Sequence, residues 1–206
     1  MRIQRETVIT TALGLLDEVG IEGLTMRRLA QALNIQAPSL YWHFANKQAL
    51  LDGMADALLA PVAALDLPTT VDWAADMRQL AVEIRRALLA RRDGARVFAG
   101  TYPVTDNVLS VGNGVIGCLR RAGGDAQLAA WGGFTLLYFV IGFVIEEQAL
   151  APETDAARWP SVAAGLADRY PDVAAVLPEI INPDAEARFA FGLDLQITGL
   201  KAKLAL

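Results

Sequence analysis

Side chains able to carry covalent or metal chemistry are few in this sequence. It contains one histidine, His43, and one cysteine, Cys118, so no histidine–cysteine metal cluster can form and no nucleophile motif is complete. Glu146-Glu147 is a lone carboxylate pair, too little for acid–base catalysis. The run Gly112-Asn113-Gly114 lies between apolar positions of a helix and not after a strand, which suits close helix packing better than a phosphate cradle. Cys118 has no partner for an intrachain disulfide; it reads as a small buried hydrophobe, with a redox-sensing thiol as the alternative. An enzyme therefore has little to work with, and no metal or cofactor is expected. A denser group of polar and aromatic side chains lies near the N-terminus, between Arg27 and Lys47, though its composition alone is a weak sign of function.

The elements that position this group are helical. Met26, Leu29, Ala30 and Leu33 form the apolar face of a short helix entered through Thr25, and Pro38 suits the first turn of another over about 37–43 that buries Leu40 and Phe44. Between them Asn34-Ile35 makes a tight turn, because asparagine tolerates a left-handed backbone and Ile35 can plug the small core. Behind this pair lies a first helix with Val8, Ala12, Leu15, Leu16 and Val19 on one face, ended by Gly20. A fourth, capped by Asn46, buries Leu50, Leu51, Met54 and Leu58 and meets Pro61. Two short helices joined by a turn, with a third behind, are the parts of a helix-turn-helix, whose second helix enters the DNA major groove.

Residues 61 to 72 read as a joint, and the pattern beyond them is again helical. Met77, Leu80, Ala81, Ile84 and Leu88 stripe a helix beginning near Asp72 and interrupted at Asp93-Gly94; Val108, Val111, Val115 and Leu119 stripe the next, which Gly123-Gly124 breaks. Leu128 to Ile145 is a stretch without a formal charge that approaches transmembrane length. Acidic residues at both ends and the glycines at 132 and 133 favour a helix buried in a protein or a dimer interface. Ala151 to Pro160 resembles a mobile connector. Ala190, Leu193, Ile197, Leu200 and Leu204 then follow a coiled-coil-like spacing.

The expected fold is all-α, with a three-helix helix-turn-helix domain over 1–60 and a larger helical ligand-binding and dimerisation domain over 61–206. The net charge of -5 excludes a protein that coats nucleic acid non-specifically. One cysteine and no signal-peptide pattern make a reducing cytoplasm the expected compartment, and no membrane partner is expected.

Residues 2 to 59 resemble the N-terminal domain of the tetracycline repressor family, most closely its tetracycline-responsive branch. The matching runs are Gly23-Leu24-Thr25, Arg27-Arg28-Leu29-Ala30-Gln31, Pro38-Ser39-Leu40-Tyr41-Trp42-His43 and Asn46-Lys47-Gln48-Ala49-Leu50-Leu51-Asp52. The resemblance implies a homodimer on operator DNA, with Arg27 on a guanine edge, Ser39, Tyr41 and Lys47 on phosphates, Gln36, Pro38 and His43 at the groove, and Trp42 among the DNA-binding residues. The alternative readings are packing aromatics for Tyr41 and Trp42 and a structural residue for His43. Arg28 reads as a solvated face residue. Ala37 stands where the tetracycline repressors usually have a base-reading glutamine, so the operator should differ from theirs.

Further along, Arg85-Arg86-Ala87-Leu88-Leu89 and Arg92-Asp93-Gly94-Ala95-Arg96-Val97 resemble the same branch more weakly. Where that branch has the histidine that coordinates drug-bound magnesium, this chain has Phe98, which offers a metal no lone pair. Ala63 and Leu80 likewise replace a histidine and an asparagine, while Glu146 remains of an acidic pair. The expected pocket is apolar, from Ile84, Leu88, Phe98, Thr101, Tyr102, Trp131, Phe134 and Tyr138, with Glu146 as a specificity handle and a mostly apolar, metal-independent inducer. The helix over about 125–148 and the terminal seam, through Ile197 and Leu200, are expected to build the dimer interface. A ligand-independent architectural protein on the same fold is the alternative, and sequence does not separate repression from activation.

Overall fold

The computed structural model describes residues 3–65, 72–101, 104–149 and 165–204, and among them finds helices and no strand. Helix α1 (Arg5–Gly23) buries Val8, Ala12 and Leu16 completely. Its helical geometry breaks at Gly20 (φ 70°, ψ 175°), but a further turn follows to Gly23 where the sequence suggested an end. Helix α2 (Met26–Ala32) starts at Thr25, whose hydroxyl accepts the Arg28 N–H at 3.2 Å. Asn34 takes the left-handed conformation (φ 53°), with its N–H on Gln31 O and that of Ile35 on Ala30 O, both at 3.0 Å. These paired bonds close the helix and reverse the chain sharply. Helix α3 (Ala37–Tyr41) has Pro38 in its first turn and buries Leu40, with Phe44 behind it.

Helix α4 (Lys47–Ala63) is capped by Asn46 Oδ1 on the Ala49 N–H at 2.8 Å. It continues two residues past Pro61, which sits in the last turn and so removes a single backbone bond. Helix α5 (Trp73–Leu89) is capped by Asp72 on Ala74 and Ala75, at 3.1 Å each, and its stripe from Met77 to Leu88 is buried. Short α6 (Gly94–Ala99) and longer α7 (Asp106–Arg121) follow. Helix α8 (Ala126–Ala149) packs against α5, α6 and α7. Three short turns, α9 (Leu166–Arg169), α10 (Pro171–Ala175) and α11 (Leu177–Ile180), lead to α12 (Ala185–Lys203), which lies on α8 and α5. The connector at 151–160 lies outside the described residues.

Helix α8 is long and apolar enough, by length and composition, to cross a membrane. Here it has two apolar faces, one buried and one exposed. Ala129, Gly132, Gly133, Leu136, Val140 and Val144 face inward. A Cβ on Gly132 would come within 2.8 Å of Leu119 and Leu200 side chains, so glycine lets α7 and α12 approach. The opposite face leaves Trp131, Phe134 and Tyr138 exposed. Gly112 and Gly114 do not play the close-packing part the sequence suggested: a Cβ at 112 would meet nothing within 4 Å, and at 114 only an ordinary contact with Leu80.

The terminal seam requires a correction. Leu193, Ile197 and Leu200 are 1%, 2% and 8% exposed, packed within the chain, while Ala190 faces out. The large apolar groups that α12 leaves uncovered are Phe191 and Leu195.

An ion cluster ties α5, α8 and α12 together. Arg85 donates to both oxygens of Glu147 at 2.7 and 2.9 Å and to Glu186 at 2.8 Å, with its guanidinium 4.8 Å from the Phe189 ring centre. Bonding to Glu147 first, then Glu186, raises the Arg85 pKa despite desolvation. Removing one partner of such a buried pair leaves the other charge uncompensated. Arg85→Met should therefore lower stability by about 3 kcal/mol, measured as a drop in thermal midpoint that Arg78→Met, on a more exposed pair with Asp194, should not reproduce.

Candidate nucleic-acid interface and ligand-binding core

The polar group on α2 and α3 lies at the surface. Arg27, Gln36, Pro38 and Ser39 are exposed, Tyr41 and Trp42 are 52% and 89% exposed, and Ala37 and His43 are half-buried. A tryptophan that open is a poor packing residue and a good contact residue. Among the described residues, the side chains of Arg27, Gln36, Ser39 and Tyr41 donate to no other group of the chain, so their hydrogen-bonding capacity faces outward.

Two neighbouring cations have structural work as well. Lys47 Nζ donates to Ile21 O at 3.1 Å and so holds the end of α1 against the start of α4; an ammonium has two further donors for a phosphate. Arg28, read from sequence as merely solvated, donates to Gly23 O at 3.1 Å. Arg5 carried no mark in the sequence. Its guanidinium lies 4.4 Å from the Phe44 ring centre, and Nη1 reaches His43 O at 3.4 Å, beside the end of α3.

A polar junction joins this head to the turn before α6. Asp93, left-handed at φ 55°, accepts the Ile21 N–H at 2.9 Å, just past the break at Gly20. Arg91 pairs with Asp17 at 2.6 Å, the Arg92 N–H donates to the same carboxylate at 3.0 Å, and Arg92 Nη1 reaches Glu18 O at 3.2 Å. Arg96 pairs with Glu22, which lowers the pKa of that carboxyl and raises that of the arginine. From α8, Gln148 donates to Leu88 O and Arg91 O at 3.1 and 2.8 Å and accepts the Ala95 N–H at 3.2 Å. At the other end of α6, Gln48 of α4 donates to Gly100 O at 3.1 Å. The sequence reading missed these residues. The available signal was charge: an acidic run at 17–22 and a basic one at 91–96.

The expected ligand residues separate into two groups. Ile84, Leu88, Phe98 and Thr101 are 1%, 0%, 6% and 6% exposed inside the larger part of the chain, and Thr101 Oγ1 donates to Phe98 O at 2.8 Å. Trp131, Phe134 and Tyr138 do not join them. Their spacing of three and four puts them opposite the buried face of α8, 66%, 49% and 59% exposed, with the Phe134 and Tyr138 rings stacked 5.9 Å apart. Glu146 is also exposed, beside a groove formed with Phe139, Phe143 and Arg188. Tyr102 lies outside the described residues.

Among the described residues no three His, Cys, Asp or Glu side chains group as metal ligands. Glu147 is taken up by Arg85. Burial pushes the Cys118 thiol up, which keeps it protonated and favours the packing role over the redox one.

Residues 8–54 match the model for bacterial regulatory proteins of the tetR family, and residues 67–204 match the tetracyclin repressor-like C-terminal domain. The chain belongs to the TetR family. The relatives it resembles are regulators and not enzymes, which agrees with the sparse chemistry of the side chains. The class C tetracycline repressor protein of Escherichia coli is 38% identical over 97% of this chain and 91% of its own. Among solved structures, ActR of Streptomyces coelicolor in complex with actinorhodin is 31% identical, with a TM-score of 0.88 over 100% of both chains. A single-substitution variant of TetR from Acinetobacter baumannii AYE, in complex with minocycline, is 37% identical, with a TM-score of 0.73 over 97% of both chains. The TetR-family chain described here is thus nearer in shape to the ActR complex and nearer in sequence to the minocycline complex.

Proposed function

We propose that this TetR-family regulator is a ligand-responsive repressor that binds a palindromic operator as a homodimer and is released by a small, mostly apolar inducer without metal. The observation carrying this reading is that α6, which bears Phe98, is bonded at both ends to the DNA-binding head, through Asp93 to Ile21 and through Gln48 to Gly100. A displacement of α6 must strain α1 and α4 together. The division near residue 60 separates reader from sensor, and Ile84, Leu88, Phe98 and Thr101 are the sensor residues that fit an apolar ligand. Phe98 cannot ligate magnesium, and Arg85 occupies Glu147. The protein acts in the cytoplasm, where its operator is. Release requires the inducer to bind the DNA-incompetent dimer more tightly than the competent one, since equal affinity shifts nothing.

The DNA half of the reading is tested by footprinting a duplex selected from random sequences. The expected result is two protected half-sites about one helical turn apart, roughly 10 base pairs. Arg27→Ala should cost on the order of 1–3 kcal/mol and relax discrimination at one base pair. Lys47→Ala should weaken binding across sequences, reduce its salt dependence and, through loss of the Ile21 bond, lower the thermal midpoint slightly. A single asymmetric protected site would contradict the symmetric dimer.

A further inference from the structure

The N-terminus of α7 is capped from a different part of the chain. Thr105 occupies the cap position with extended backbone (φ -125°, ψ 160°) but makes no capping bond. Its Oγ1 is buried and has no hydrogen-bond partner among the described residues. The cap is supplied instead by Asp56 of α4: Oδ1 accepts the Asn107 N–H at 3.1 Å, and Oδ2 accepts Asn107 Nδ2 at 2.9 Å. The same Nδ2 also donates to the backbone carbonyl of Asp56 at 3.2 Å. A carboxylate at a helix start is favoured by the unpaired N–H groups and the dipole. A buried hydroxyl left empty beside it is disfavoured.

From this arrangement we infer that Asp56 and Asn107 are positioning residues for operator binding, and that Thr105 is the alternative cap that replaces Asp56 when α4 moves away. The inference rests on the reading of the chain as an operator-binding dimer. Helix α4 begins at Lys47, next to the recognition segment, and Asp56 lies about two and a half turns further along it. Clamped to α7, α4 cannot pivot without breaking three hydrogen bonds. Released, it loses them, but α7 keeps a cap because the Thr105 hydroxyl is already at the right residue to take the freed N–H. The exchange lowers the cost of moving α4 and gives its position two defined states. The clamp fixes the separation of the two recognition helices, and so the half-site spacing the dimer accepts.

The test compares affinity for the duplex selected by the wild-type protein with affinity for the same duplex carrying one extra base pair between its half-sites. For the wild type this insertion should cost on the order of tenfold, because it shifts and rotates one half-site against the other. In Asp56→Ala and in Asn107→Ala the cost should fall to about threefold or less, since α4 can then adapt. The swap Asp56→Asn with Asn107→Asp reverses the side-chain pair and keeps an acceptor for the backbone N–H at 107, but loses the bond to the backbone carbonyl at 56, so it should recover only part of the wild-type ratio. A general loss of stability changes the active fraction but not this ratio. Thr105→Val should lower the thermal midpoint more in the Asp56→Ala background than in the wild type, because α7 then has neither cap. Retention of the full spacing penalty in both alanine variants, a swap variant no more discriminating than they are, or an equal effect of Thr105→Val in both backgrounds would overturn the inference. A wild-type protein that selects no symmetric duplex would contradict the operator reading itself, and the positioning role with it.

Discussion

Phe191→Asp combined with Leu195→Asp should convert the dimer into folded monomers that no longer hold the operator. These side chains are 67% and 60% exposed on α12, which packs on α8, and α8 leaves Trp131 and Tyr138 66% and 59% exposed. So much apolar surface on two adjacent long helices calls for a partner, and a second copy, pairing α8 and α12 with their counterparts, is the simplest one. Each buried side chain contributes about 1.5 kcal/mol or more, and in a two-fold interface every substitution acts twice. Removing two residues therefore costs about 6 kcal/mol, or roughly four powers of ten in the dimer Kd. Sedimentation should show monomers with unchanged helix content, and operator binding should collapse because each head then holds only one half-site. An unchanged dimer would remove the assignment. Ile197→Asp serves as the contrast: at 2% exposure inside the chain, it should unfold the protein before it separates two copies.

Gly94→Val should have the second large effect. A Cβ at this residue would lie 2.2 Å from the backbone oxygen of Leu88, a contact no side-chain rotation relieves. The turn between α5 and α6 must then move, taking with it Asp93 and its bond to Ile21. Overpacking against backbone costs about 3 kcal/mol, which at this chain length lowers Tm by roughly 6–12 °C. The folded fraction should still bind operator duplex but respond less to inducer, because the junction between α6 and α1 is the part displaced. Asp93→Asn is the milder comparison. Asparagine tolerates the left-handed backbone and keeps an acceptor for the Ile21 N–H, so near-normal stability and induction are expected. An equally stable and fully inducible Gly94→Val would show that the turn carries no signal.

Much of this fold was legible in the sequence because local rules and burial agree in it. Thr25 and Asn46 cap the helices they were expected to cap, α5 begins near Asp72 as expected, Asn34 is left-handed at the expected turn, and the stripe from Met77 to Leu88 is buried. What stayed illegible depends on which partner a helix face meets. A spacing of three and four residues at Leu193, Ile197 and Leu200 looks the same whether the groove it fills belongs to its own chain or to another. Helix α8 is apolar on both faces, so Trp131, Phe134 and Tyr138 carried no mark assigning them to the outer one. Polar contacts between distant segments, such as Arg91 with Asp17 or Asp56 with Asn107, leave no periodic signal at all. The residues proposed to face DNA were legible through the family resemblance of the runs that carry them and not through composition, and the structure leaves tryptophan, tyrosine, arginine and glutamine exposed there.

Release of the operator complex is the step at which a metal-independent apolar inducer and a magnesium chelate differ most plainly. Operator-bound protein is titrated with tetracycline and magnesium, and separately with metal-free, apolar multi-ring aromatic compounds, each with and without a chelator, while DNA release is followed by fluorescence anisotropy. Release by a metal-free compound, unchanged by the chelator and weakened by Phe98→Ala, is the expected result. Release by tetracycline that requires magnesium and survives Phe98→Ala would contradict it.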